Sequence, residues 1–285
     1  MKKTACFVLL FFLVQLVFTQ ETTQKSYALY GKKLTEHITV HNQNRLEGTG
    51  EGIISVEHLD QKVEGELTEF SVIKNSKTEF QKNKLEKTYL NDRSIFVATM
   101  MGNSIKSVDS SYLEGKTISY TKEAYDLWNV SNFEEYKSYE QDELNDELVA
   151  LNDSIIKVKT YFIYPERMRI GETLKLNKDN LGTFYEIKDY EAVSGTLQLK
   201  EVAKQNNDLI AIFEVAIQVK GIVDPEDNAF IVIEMNGIAK RSLTQFYDQE
   251  VSLAGTVTMK GKLNEDQFLT MFIPATLSMR QSIEN

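Results

Sequence analysis

The residues best suited to chemistry are few. His37, His41 and His58 are the only histidines. On a helix, the i,i+4 spacing of His37 and His41 would hold two imidazoles on one face for a metal. Their alternation with Leu34, Ile38 and Val40 through Thr35 and Thr39 predicts a strand instead. Same-face residues four apart on a strand are ~13 Å apart, too far to share an ion. They read as surface residues, and neither a metal nor a cofactor is expected.

Other catalytic patterns are equally thin. There is no Gly-x-Ser-x-Gly elbow for a serine nucleophile. Gly48-Thr49-Gly50-Glu51-Gly52 resembles the start of a phosphate loop but lacks Gly-x-Gly-x-x-Gly spacing and a following helix. It reads as a hairpin tip. Asp224-Pro225-Glu226-Asp227-Asn228 is acidic but does not follow the calcium-loop pattern, and reads as a solvated turn. With 42 acidic residues, carboxylate pairs carry no information by themselves. No catalytic residue is assigned.

The elements that would position such residues are mostly strands. Phe213, Val215, Ile217 and Val219 alternate with Glu214, Ala216, Gln218 and Lys220. Val251, Leu253, Val257 and Met259 repeat the pattern, as do Ile156, Val158 and Phe162. A period of two with one apolar face is the mark of antiparallel strands with one side wet. Asn206-Asn207-Asp208 and the 224–228 turn predict reversals, and Asn236-Gly237 predicts a hairpin. Gly115, Gly195 and Gly255 each precede an apparent strand start.

One segment has helical rhythm. Ser131-x-x-Glu134 matches a capping box, and Phe133, Tyr136, Leu144, Leu148 and Leu151 follow at three- and four-residue steps or multiples of them. The pattern predicts a helix over about 132–151 with a strongly acidic solvated face. An amphipathic helix of this kind usually covers a core. Acting as a lid, it would offer Phe133 and Tyr136, with Trp128 just before it, as ligand contacts; Trp128 alone reads as a core anchor.

The N-terminus sets the compartment. Lys2 and Lys3 precede an apolar run, Ala5 to Phe18, interrupted only by Cys6 and Gln15. At 1.5 Å per residue such a run spans roughly 21 Å, short of a ~30 Å hydrocarbon core. Residues 1–20 therefore read as a signal peptide, cleaved after Thr19 or Gln20. Cys6 sits too early in it for lipidation, and it is the only cysteine. The mature chain is expected to be thiol-free, exported to periplasm or medium, and soluble. The net charge is −10, and losing Lys2 and Lys3 makes it −12, which disfavours nucleic acid and anionic lipid as partners. No later apolar run is long enough for a stable membrane span.

Tyr164-Pro165-Glu166-Arg167-Met168-Arg169-Ile170-Gly171-Glu172-Thr173-Leu174 resembles an aromatic-Pro…Gly-acidic-Thr element of a diffuse group of exported bacterial β-rich proteins of unknown function. Leu113 to Tyr120, and the strands around Asn236-Gly237, are similar to the same group. The group has no agreed activity, so the resemblance implies no site residues. The overall plan is also similar to lipoprotein-carrier (LolA/LolB-like) folds.

The sequence thus predicts a mainly β chain: one large curved antiparallel sheet, or two β subdomains, with one amphipathic helix. The expected divisions are a signal at 1–20, an N-terminal β portion at 21–130, the helix at 131–152 and a C-terminal β portion at 153–285. The functional expectation is a non-catalytic envelope protein binding an apolar ligand, or a lipid or lipid-modified partner, between sheet and helix. A structural or protein–protein interaction module without a cavity is the alternative, and an envelope hydrolase the third.

Overall fold

A computed structural model describes residues 25–31, 37–48, 52–58, 61–122, 127–153, 160–181, 189–224, 229–264 and 267–284. The expected signal peptide, Ile156 to Lys159 and the 225–228 turn lie outside the described residues. The alternating segments pair into one antiparallel sheet of thirteen strands. Its C-terminal half is a meander of β10 (Thr173–Leu176), β11 (Asp189–Gln205), β12 (Asp208–Asp224), β13 (Ala229–Ser242), β14 (Asp248–Asn264) and β15 (Gln267–Glu284).

The last strand joins the first ones. β15 pairs along one edge with β2 (His37–Gly48) and β3 (Gly52–His58), which in turn pair with β4 (Gln61–Gln81). β4 continues into β5 (Lys84–Met100). Along the far side of β5 lie β6 (Asn103–Ser110) and then β7 (Thr117–Lys122), with β8 (Trp128–Val130) on β7. A separate two-stranded ribbon of β1 (Ser26–Ala28) and β9 (Arg167–Arg169) is not hydrogen-bonded to the sheet. The mainly β class is as the alternation implies, and the sheet is continuous from end to end.

Several turn readings are corrected. β2 and β3 both run antiparallel to β15 and to β4 and so share one direction, while the expected hairpin tip at 49–51 lies outside the described residues. Pro274 falls where β15 passes from β3 to β2, so its missing N–H interrupts neither register. Asn236-Gly237 is no hairpin either: it lies inside β13, paired with Ala216 and Val215 on one side and Ala254 and Leu253 on the other. Gly195 and Gly255 likewise sit within β11 and β14. A Cβ at Gly237 or Gly255 would run into a neighbouring strand's carbonyl, so these glycines allow close backbone approach within strands. The Asn206-Asn207 reversal is present, with Gln205 opposite Asp208.

Apolar side chains of the inner face make two cores. In the larger, Leu197, Phe213, Val215, Ile233, Val257 and Leu277 pack beneath a cover of Leu29, Tyr161, Phe162, Tyr164 and Met168. In the smaller, Ile38, Val40, Phe80, Leu85, Tyr89, Ile118 and Tyr120 pack beneath helix α1 (Ser138–Asp153) and the segment before it. At 25 cal/mol per Å², burying one Leu- or Phe-sized side chain contributes ~1.5–3 kcal/mol. These two clusters therefore dominate the stability of the sheet.

Candidate functional site

The residues singled out as ligand contacts all belong to the smaller core, but at opposite ends of α1: Phe133 and Tyr136 precede its start, and Trp128 lies against Asn152 at its end. Trp128 is buried within the smaller core, and Phe133 and Tyr136 are half-buried against it. The Asn152 side chain fixes Trp128 from the helix end: its Oδ1 accepts from the Trp128 N–H at 2.7 Å, and its Nδ2 donates to the Trp128 carbonyl at 3.1 Å. Lys122 Nζ lies 5.6 Å from the centroid of the indole.

The helix begins later than its capping pattern suggests. Asn132 is left-handed (φ 57°) and makes no side-chain cap, and Phe133–Glu135 forms a single 3₁₀ turn. The Ser131/Glu134 box is therefore not the start of α1. Later side chains satisfy the backbone there instead: Glu140 Oε2 accepts from the Lys137 N–H at 3.1 Å, and Gln141 Nε2 donates to the carbonyls of Phe133 and Tyr136 at 3.2 and 2.9 Å. A left-handed Asn followed by a 3₁₀ turn directs Phe133 and Tyr136 down onto the sheet.

The acidic face is not simply solvated. Glu140 pairs with Lys116 and is only 7% exposed. Glu143 accepts from Ser111 Oγ at 2.6 Å and from the Tyr112 N–H at 3.1 Å. Glu147 pairs with Lys87 at 2.5 Å and accepts from Tyr89 Oη at 3.2 Å, and Tyr89 Oη is 3.2 Å from Tyr120 Oη. Spaced at three and four residues, these acids form one stripe that clamps α1 to the sheet and its loops. Lys116 and the Lys137 N–H hold the Glu140 carboxyl below the usual glutamate range. Burial, reinforced by Glu147, holds the Tyr89 and Tyr120 phenols protonated far into alkali. A carboxylate already engaged by a lysine, beside phenols that keep their protons, is a structural clamp rather than an acid–base pair.

A second polar centre lies under the larger core. Arg241 and Asp248 are 1% and 0% exposed and pair at 2.7 Å. Asp248 also accepts from the Tyr164 hydroxyl at 2.9 Å and the Tyr161 N–H at 2.7 Å. Arg241 donates to the carbonyls of Leu29 and Phe246 at 3.0 Å each, and its guanidinium lies 4.6 Å from the centroid of the Tyr164 ring. Burial lifts the Asp248 carboxyl above the ordinary aspartate value, although Arg241 opposes that rise. Here β13, β14, the 160–168 cover and the N-terminal segment are tied to one ion pair. Sequence reasoning missed it. The available signal was Arg241 on the inward parity of β13, in step with Ile231, Ile233, Met235 and Ala239.

The histidines lie on strands, as the alternation implies. His37 is exposed, while His41 Nε2 is 3.7 Å from Glu284 Oε1. Among the described residues, no group of three or more His, Cys, Asp or Glu gathers to hold a metal, and no helix is long and apolar enough to cross a membrane.

No family model matches the chain, and no curated protein sequence matches it significantly. Among solved structures it is similar to the botulinum neurotoxin serotype C1 binding domain, at 9% identity, TM-score 0.15, covering 87% of this chain and 80% of that one. It is also similar to a receptor binding domain, at 10% identity, TM-score 0.15, covering 85% and 77%. Similarities of this size carry no argument about fold or function.

Proposed function

We propose that the chain is an exported, non-catalytic interaction module that meets a protein partner through its outer surfaces. What supports this reading above all is the packing of α1. Leu144 is fully buried, Trp128 is buried in the same cluster, and Phe133, Tyr136, Leu148 and Leu151 pack against it. The chain's own side chains thus fill the sheet–helix interface that a carried apolar ligand would occupy. The acids clamped to Lys87, Lys116 and Ser111 hold that interface shut. The basic, then apolar, leader supports export.

The test is native mass spectrometry on the protein purified from its own source. An interaction module runs without lipid, and Phe133→Ala and Tyr136→Ala lower its stability without releasing any ligand. A stoichiometric lipid, lost in those variants while folding survives, would restore the ligand-carrier reading.

A further inference from the structure

Eight successive residues of β6, Asn103–Ser110, are exposed, and among the described residues this strand pairs with β5 alone. The β5–β6 hairpin turns through Met101 (φ 51°) and Gly102 (φ 77°), the paired positive angles of a two-residue loop. In such a hairpin the closing pair, Met100 and Asn103, is hydrogen-bonded, and bonded pairs then alternate along the ladder. The N–H and C=O groups of Asn103, Ile105, Ser107 and Asp109 therefore face β5. Those of Ser104, Lys106, Val108 and Ser110 face the open edge.

This edge leads into an exposed aromatic pair. Tyr112, two residues past β6, lies against Tyr139 of α1 with ring centroids 4.4 Å apart. The two tyrosines are 56% and 39% exposed. On α1, Asp142 and Asp146 are exposed and follow Tyr139 at three- and seven-residue steps, on the same stripe. The cations around the pair are Lys137, whose Nζ is 5.5 Å from the centroid of the Tyr139 ring, and Arg93 and Lys116, which are engaged by Glu114 and Glu140. Aromatic faces and unpaired carboxylates at the end of an open strand edge suit a cation carried on an extended chain.

Resting on the interaction-module reading, we propose that β6 is a docking edge for an extended, lysine- or arginine-bearing segment of a partner protein. That segment adds as a strand to β6 and places its cation by Tyr112, Tyr139 and Asp142.

The probe is a synthetic octapeptide alternating threonine and valine with lysine at both ends, compared with the same peptide ending in glutamates. With the full chain, the basic peptide should slow amide exchange at Ser104, Lys106, Val108 and Ser110 and bind about tenfold more tightly than the acidic one. Val108→Pro removes one outward donor without touching the ladder to β5, and should weaken binding about tenfold. Asp142→Lys, at an exposed position that leaves the edge intact, should weaken it severalfold if the proline variant unfolds the hairpin. Equal binding of both peptides, or no protection of those four amides, would overturn the proposal. So would self-association that Val108→Pro abolishes, because the occupant would then be a second copy. Retained lipid would instead count against the interaction-module reading, so the two failures are distinguishable.

Discussion

The two cores lie on one face of one sheet yet are closed in opposite ways. The larger is covered by largely irregular chain around Leu29 and residues 160–168, fastened to a buried ion pair. The smaller is covered by a regular helix, fastened by carboxylates that keep some contact with water: Glu147 is 26% exposed and Lys87 16%. Irregular backbone cannot satisfy its own polar groups, so its cover needs buried acceptors and donors such as Asp248 and Arg241. A helix satisfies its own backbone and needs only an apolar stripe and a few surface pairs. The difference predicts very unequal costs for breaking the two closures.

Asp248→Ala is expected to cost most. It leaves Arg241 buried without its counter-ion and the Tyr161 N–H and Tyr164 hydroxyl without an acceptor, a loss of about 3–5 kcal/mol. Denaturant unfolding followed by tyrosine fluorescence measures it. Leu144→Ala in the helix should cost about 2–4 kcal/mol, the usual range for a buried leucine, and should lower helical circular dichroism first. If the Leu144 variant proved costlier, the ranking of the two closures would be reversed. Glu147→Gln removes one charge-assisted contact to Lys87 at a partly wet site, and about 1 kcal/mol is expected.

The smallest effect is one of pH. Glu140 has its carboxyl held below its ordinary value of 4.5 by Lys116. Its contribution is therefore fully present above that value and fades as pH falls through the lower, folded value. Lys116→Met should flatten this part of the acid limb in a pH series of unfolding midpoints, and Lys240→Met, remote from the helix, should leave the helix signal unchanged.

How much of this was legible follows from where the physics is local. Alternation in 213–219 and 251–259 gave the strands, because burying one face of a sheet imposes a period of two on the residues themselves. Leu144, Leu148 and Leu151 gave the second half of the helix for the same reason at a different period. Asn236-Gly237 misled because a hairpin signal is local, whereas the need for close approach to Leu253 and Ser252 comes from the neighbouring strand. Ser131 and Glu134 misled because Asn132 enters the left-handed region and spends the next turn as 3₁₀. Of the candidate contacts, the packing of Phe133 and Tyr136 into the cluster of Leu144 and Leu148 was readable from helix spacing, whereas the seating of Trp128 on Asn152 at the far end of the helix was not. The Arg241–Asp248 centre was not, since its partners Leu29, Tyr161 and Tyr164 are brought in by long-range folding.

The central claim is that the sheet–helix interface is filled by the chain itself and that recognition happens outside it. Native mass spectrometry of protein purified from its source tests this most directly. The expected result is the mass of the bare polypeptide, for the unaltered chain and for Phe133→Ala and Tyr136→Ala alike. A bound lipid carried by the unaltered chain and lost from either variant would contradict it.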